Sequence, residues 1–299
     1  MIATGTNTRI TLSNILYLTD FSEPSEAALP FAIAIARGYG AIVHALHVLM
    51  PSPVVYMTPE LVADGIAGQE EAASLEMQKV ESALAGLPHD TIVERGFKVW
   101  PVLARTIKEH AIDLVVLGTH GRTGTQKFLL GSVAEEIFRR SPVPVLTIGP
   151  WVRSGAHNDA RFHRVLFATD FTAESLTALP YAVSIAQENQ ARLFLLNVIR
   201  SLGQDQEEMR GRLSAANTLY ELNEMVPEDA ELWCRPEAIV EHGEPAEGIL
   251  EAAKQRGADL IVLGVRDAAG HLGAATHLER TTAHKVVAHA PCPVLTVRL

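Results

Sequence analysis

The chain alternates short, nearly continuous apolar runs with longer segments in which apolar residues recur at helical spacing. Runs such as ILYLT and LVVLG do not alternate with polar residues, which is typical of strands covered on both faces. In the first half the predicted strands are 14–19, 41–48, 90–95, 113–118 and 144–149, and the predicted helices are 24–38, 69–86, 100–111 and 132–140. Strands separated by helices predict right-handed crossovers and an open parallel α/β sheet.

The second half repeats the first. Residues 14–49 align without a gap on residues 164–199, and 14 of the 36 pairs are identical. A self-match of this length predicts two domains, 1–150 and 161–299, each long enough to bury its own core. The strands predicted in the second copy are 164–169, 191–198, 232–241, 259–264 and 293–298.

Prolines and one long segment complicate this pattern. Pro30 and Pro180 fall at matched positions inside the first predicted helix of each copy, where an interior proline removes a hydrogen bond. We therefore expect a kink in both helices. The segment 51–68 is long and rich in apolar residues, and it is predicted to be a loop that acts as a lid or a contact surface.

Composition narrows the class of protein. The 25 basic and 35 acidic residues give a net charge of −10, which disfavours binding to nucleic acid or to anionic lipid. The longest uncharged stretch, 38–59, is interrupted by glycine, histidine and proline, so no membrane span is predicted. Cys234 and Cys292 form no metal-binding or disulfide pattern, which favours reduced thiols in a cytoplasmic protein.

A glycine-bearing loop follows the fourth predicted strand of the first copy. Gly118 and Gly121 are followed, after nine residues, by Gly131, Ser132 and a predicted helix. Glycines let backbone N–H groups approach a phosphate, and the start of a helix adds donors and the positive end of its dipole. Ser132 can bond a phosphate oxygen or cap its own helix, and Arg122 adds positive charge.

Two other predicted strand ends meet this loop at the same sheet edge. Thr19 and Asp20 close the first strand, and Val48 closes the second. Asp20 can accept a hydrogen bond from a base or a ribose, or help to hold a divalent cation, and Val48 can form an apolar wall for a purine. Each of these residues also has an explanation without a ligand. Asp20 could cap the following helix, and a role in the fold would explain why both copies keep Thr-Asp-Phe. Val48, taken alone, fits a position in the core.

These motifs resemble the universal stress protein family. The resemblance depends on the G-x2-G-x9-G-S pattern at 118–132, TDFS at 19–22, LHV at 46–48 and PVPVLTI at 142–148, and it spans both halves. It implies two tandem open five-stranded parallel-sheet sandwiches of the adenine nucleotide α-hydrolase-like, Rossmann-like class. It also implies dimers, so the halves are expected to pair as a pseudo-dimer through 144–149 and 293–298, and the chain to form a homo-oligomer.

The resemblance further implies that the first copy binds ATP, with or without Mg²⁺. The nucleotide site predicted on this basis comprises Thr19, Asp20, Val48, Gly118, His120, Gly121, Arg122, Gly131, Ser132 and Val133.

The second copy departs from the pattern. Gly121 is replaced by Asp267, Gly131 by Arg280 and Ser132 by Thr281. A carboxylate where a phosphate should approach is an unfavourable like-charge contact. One competent nucleotide site and one degenerate site are therefore predicted.

The predicted function is an ATP-binding regulator of the stress response rather than an enzyme, working through nucleotide-dependent ordering of 119–131. The sequence contains no P-loop, no GxGxxG after the first strand and no GxSxG elbow. Two alternatives stay open: a weak ATPase, and a dimerising scaffold without a ligand.

Overall fold

The structure is a computed structural model that describes residues 10–51, 59–119, 130–152, 161–200, 207–227, 230, 232–266 and 281–298. The chain separates into two compact units, one formed mainly by residues 12–150 and the other mainly by residues 161–298.

The first unit alternates strands and helices. Its strands are β1 (Asn14–Thr19), β2 (Ile42–Leu49), β3 (His89–Arg95), β4 (Leu114–Gly118) and β5 (Val145–Ile148). Its helices are α1 (Glu23–Glu26), α2 (Leu29–Tyr39), α3 (Pro59–Ala83), α4 (Val99–Glu109) and α5 (Ser132–Arg140).

The five strands form a parallel sheet in the order β3-β2-β1-β4-β5. The chain proceeds outward from β1 to β3 and then resumes on the other side at β4, so the strand order reverses between β1 and β4. Residues 15–18 of β1 are all buried. Because successive side chains point to opposite faces, both faces of the sheet are covered, as the unbroken apolar runs predicted.

The second unit has the same topology. Its strands are β6 (Arg164–Ala168), β7 (Arg192–Ile199), β8 (Glu237–His242), β9 (Leu260–Val265) and β10 (Val294–Arg298). Its helices are α6 (Ala173–Leu176), α7 (Leu179–Asn189), α8 (Glu207–Glu224), α9 (Pro245–Arg256) and α10 (Thr282–His289). The strands pair in parallel in the order β8-β7-β6-β9-β10.

The first predicted helix of each copy is in fact two helices, so the expectation of one kinked helix over 24–38 was wrong. Ala27 and Ala28, between α1 and α2, keep right-handed helical dihedrals, but the Ala28 N–H donates to the Ser25 carbonyl only three residues back (3.0 Å). α2 then begins at Leu29, with Pro30 in its first turn. Pro180 has the same place in α7. The first turn of a helix has no intrahelical partner for its N–H groups, so a proline there sacrifices no hydrogen bond.

Two further expectations are corrected. The predicted loop 51–68 is helical from Pro59 onward, since α3 begins there rather than at 69; residues 52–58 lie outside the described ranges. The strand predicted at 232–241 begins only at Glu237. The preceding residues form a turn in which the Cys234 N–H donates to the Ala230 carbonyl (2.9 Å) and Arg235 has a left-handed φ of 44°.

Candidate functional site

An open crevice of ≈ 620 Å³ lies at the carboxyl edge of the first sheet. It is lined by the ends of β1, β2 and β4, by the start of α5 and by one side of α3. This is the edge at which the strand order reverses, the usual position of ligands on open parallel sheets. The volume is within the range of about 300–1,000 Å³ typical of small-molecule sites.

The crevice brings together most of the residues that the sequence predicted. Those that line it are Thr19, Asp20, Val48, Gly118, Gly131, Ser132 and Val133. His120, Gly121 and Arg122 lie outside the described residues.

The turn after β1 forms one wall. Phe21 has a left-handed φ of 59°, and its N–H donates to the hydroxyl of Thr19 at 3.0 Å. Asp20 Oδ1 accepts from both the N–H and the hydroxyl of Ser22, which in turn caps α1 by accepting from the Ser25 N–H. These bonds hold an unfavourable backbone conformation in a non-glycine residue.

The second unit repeats this turn bond for bond. Phe171 has a φ of 61°, and its N–H donates to the Thr169 hydroxyl at 2.9 Å. Asp170 accepts from the N–H of Thr172 at 3.1 Å and from its hydroxyl at 2.6 Å. Burial opposes ionisation of Asp170, but the hydrogen bonds from Thr172 and Ser175 outweigh it and lower the pKa of the carboxyl. The Thr-Asp-Phe shared by both copies is therefore explained by the turn.

Gly118 is required by packing. A Cβ on this residue would lie 2.7 Å from the carbonyl carbon of Pro24 and 3.0 Å from the nitrogen of Ser25, both backbone atoms of α1. In the second unit a Cβ on Gly264 would lie 2.8 Å from the carbonyl carbon of Glu174. Gly118 lines the crevice, but its glycine identity is what lets the helix after the first strand approach the fourth.

His47 is a lining residue that the sequence reasoning did not place in the site. Its Nδ1 lies 2.8 Å from the carbonyl oxygen of Thr19 and must donate, because a carbonyl only accepts. Its ring packs against Phe21 with the ring centroids 4.3 Å apart. Asn197, the aligned residue, donates to the Thr169 carbonyl at the same distance of 2.8 Å. In the sequence, the alignment of His47 with Asn197, two side chains that can both donate a hydrogen bond, was the signal that could have identified this position.

The start of α5 differs from the start of α10. The N-cap of α5 is Gly131, which offers no side-chain cap, and Ser132 is already the first helical residue. Among the described residues, no partner accepts the N–H groups of Ser132, Val133 or Ala134. In α10 the N-cap is Thr281, whose hydroxyl accepts from the His284 N–H at 3.2 Å.

In the described part of the crevice, backbone N–H groups rather than basic side chains are available to bind an anion. The described lining residues include the carboxylates Asp20 and Glu76 but no lysine or arginine. The uncapped amides and the dipole of α5 supply positive potential.

Comparisons with known proteins identify the chain. The model of the universal stress protein family matches residues 11–149 and again residues 161–298. The chain belongs to the universal stress protein family. A universal stress protein of Mycolicibacterium smegmatis is 28% identical over 297 residues, covering 95% of this chain and 96% of that protein. Universal stress protein MJ0531 of Methanocaldococcus jannaschii is 32% identical over 138 residues, covering 45% of this chain and 80% of the relative.

A solved structure supports the tandem fold. The crystal structure of a universal stress protein from Archaeoglobus fulgidus DSM 4304 has a TM-score of 0.71 at 22% identity, covering 98% of both chains. Within the described ranges, no helix combines the length and the apolar character needed to cross a bilayer.

Proposed function

We propose that the crevice of the first unit binds ATP or a related adenine nucleotide, and that the protein acts as a nucleotide-dependent regulator in the stress response. The observation that carries this proposal is the uncapped start of α5, whose N–H groups line a crevice of suitable volume at the reversal point of the sheet. Both features together favour a ligand that has an anionic end.

The lining residues suggest how the nucleotide lies. Val48 and Leu49 at the end of β2, and Met50 directly after it, provide an apolar wall for the base. Asp20, held by Ser22, is close enough to the surface to accept a hydrogen bond from the base or ribose. The phosphates extend to the start of α5, with Gly121 and Arg122 of the preceding loop as further proposed contacts, and Mg²⁺ offsets their charge.

The second unit is proposed to be a degenerate site. Thr281 satisfies its own helix, so at least one of the donors that α5 offers to a ligand is already used in α10. Arg280 and Asp267, which replace the loop glycines, lie outside the described residues. We propose no catalytic residue in either unit, and cytoplasmic location and homo-oligomerisation stay predictions.

The variant Gly131→Ser tests the proposal by giving α5 a cap of its own. Gly131 has φ −61° and ψ 146°, a conformation open to any residue, so serine can adopt it and accept from the Ala134 N–H. A serine cap is worth ~1 kcal/mol over alanine. Because a phosphate must displace that hydroxyl, Gly131→Ser should bind Mg-ATP about fivefold more weakly than the control Gly131→Ala, measured by calorimetry.

Thermal unfolding of the two variants shows whether the cap has formed, since Gly131→Ser should then melt above Gly131→Ala. Equal affinities together with that higher melting temperature would show that the ligand does not use the start of α5. Absence of Mg-ATP binding by the wild-type chain would overturn the proposed function itself.

A further inference from the structure

Three potential metal ligands meet at the amino edge of the first sheet, opposite the crevice. His44 and Asp90 are directly paired across β2 and β3, near the start of each strand. His110 directly follows α4 as its C-terminal cap. One ligand atom from each of the three side chains lies within 4.8 Å of the other two.

The buried member of this cluster has an unused lone pair. His44 is 7% exposed, and its Nδ1 has no hydrogen-bond partner among the described residues. Its Nε2 lies 3.2 Å from Asn14 Oδ1, while Asn14 Nδ2 donates to the Ala111 carbonyl at 3.4 Å. Since Oδ1 can only accept, the His44 proton is on Nε2 and Nδ1 presents its lone pair. An imidazole with its second nitrogen bonded to a carbonyl oxygen is the usual arrangement of a metal ligand.

The distances suit closure around a small ion. His44 Nδ1 lies 3.9 Å from Asp90 Oδ2, and the rings of His44 and His110 have centroids 4.7 Å apart. Ligand atoms around tetrahedral zinc are separated by roughly 3.3–3.5 Å, given bonds of about 2.0–2.2 Å. Asp90 is exposed and His110 is partly exposed, so small side-chain rotations can close the difference.

The charges around the three side chains favour a bound cation. The carboxylate of Asp90 and the negative end of the α4 dipole both stabilise positive charge at this point.

The second unit shows that the fold does not need these histidines. Phe194 replaces His44 and pairs with Glu237 across β7 and β8, as His44 pairs with Asp90. Arg256 ends α9 where His110 follows α4, and it bonds Glu237 at 2.6 Å and lies over the Phe194 ring at 5.9 Å. An aromatic ring and an ion pair thus fill the place that two imidazoles and a carboxylate occupy in the first unit.

We infer that His44, Asp90 and His110 form a binding site for a first-row transition-metal ion of the Zn²⁺ class, with water completing the coordination. Two imidazoles and one carboxylate suit such an ion better than Mg²⁺ or Ca²⁺, which prefer oxygen ligands. The ion would tie β2 and β3 to the end of α4. This site is separate from the proposed nucleotide crevice and does not depend on it.

Titration of the untagged full chain with Zn²⁺, under competition from a chelating dye, tests the inference. The wild-type chain should bind one ion that Asp90→Ala combined with His110→Gln does not bind. Asn14→Ala removes the acceptor that orients His44, together with the Asn14 Nδ2 bond to the Ala111 carbonyl, and should weaken binding by ~10–100-fold. His89→Gln is the matched control, because His89 adjoins Asp90 but its Nδ1 is bonded to the Leu87 carbonyl at 2.8 Å; it should bind as the wild type does.

His44→Phe copies the second unit and keeps the test decisive if the double variant does not fold. Wild-type protein that takes up no Zn²⁺ would disprove the site. So would binding of the same number of ions, with the wild-type affinity, by both His44→Phe and the double variant of Asp90 and His110. Anomalous diffraction at the zinc edge should place the ion among the three side chains, and a peak elsewhere would contradict the assignment.

Discussion

Replacement of Gly118 by alanine tests whether this glycine is needed for packing rather than for a ligand. The added Cβ meets backbone atoms of Pro24 and Ser25, which cannot rotate away as a side chain would. Relief requires α1 to move off β4, but α1 is held by the Tyr17 hydroxyl, which donates to the Ser25 carbonyl at 2.9 Å. Overpacking of this kind costs about 1–3 kcal/mol. The melting temperature should therefore fall by roughly 3–10 °C.

The second unit supplies the matched variant for this prediction. Gly264→Ala creates the same clash against Glu174 in a unit that is proposed not to bind nucleotide, so it should destabilise the protein by a similar amount. Gly38→Ala, near the end of α2 and with open space around its Cβ, should be neutral or stabilising. Differential scanning calorimetry without nucleotide decides the matter. Unchanged melting of both Gly118→Ala and Gly264→Ala would refute the packing argument.

Two other predictions use the internal repeat as a control. Burial raises the pKa of Tyr17 from 10.0 to about 12, so the unfolded chain ionises first and stability is lost as the pH rises from 10 to 12. Tyr17→Phe copies Phe167 of the second unit and should lower the free energy of unfolding by ~0.5–1.5 kcal/mol at neutral pH, measured by urea unfolding. The variant has no hydroxyl to ionise, so it should not show the alkaline loss of up to about 2–3 kcal/mol expected of the wild type. Parallel pH profiles of the two proteins would contradict this prediction. Asp20→Ala and Asp170→Ala should each lower the free energy of unfolding by ~0.5–1.5 kcal/mol, because each removes the hydrogen bonds of its turn. Only Asp20→Ala should also weaken Mg-ATP binding in calorimetry. Equal effects of the two variants on binding would contradict the proposed difference between the units.

The strands could be predicted closely because burial on both faces leaves a direct mark on the sequence. Residues 15–18 are apolar at four consecutive positions, and the predicted strand 14–19 coincides with β1. The prediction for β8 began five residues early, at 232. Apolar residues such as Trp233 and Cys234 lie there in a turn, and hydrophobicity alone does not distinguish a turn from a strand.

The break between α1 and α2 was harder to foresee because it depends on local hydrogen bonds. Ser22 caps α1, and the Ala28 N–H then donates to Ser25 O in a tighter turn before α2 begins. Proline is favoured at the first helical position, so Pro59 was the signal in the sequence for the start of α3.

The two candidate sites differ in how far the sequence could define them. The crevice residues follow from strand ends and a glycine pattern, which are local signals. The cluster of His44, Asp90 and His110 depends on the register between β2 and β3 and on the left-handed φ of 47° at Ala111, which turns the chain after α4. Neither quantity is visible in spacing along the chain, because the three residues are far apart in sequence.

A crystal structure of the full chain grown with excess Mg-ATP tests the central claim most directly. The account predicts adenine against the end of β2 and phosphates at the uncapped start of α5, in the first unit and not in the second. An empty crevice in the first unit, or a nucleotide bound with its phosphates at Thr281, would contradict it.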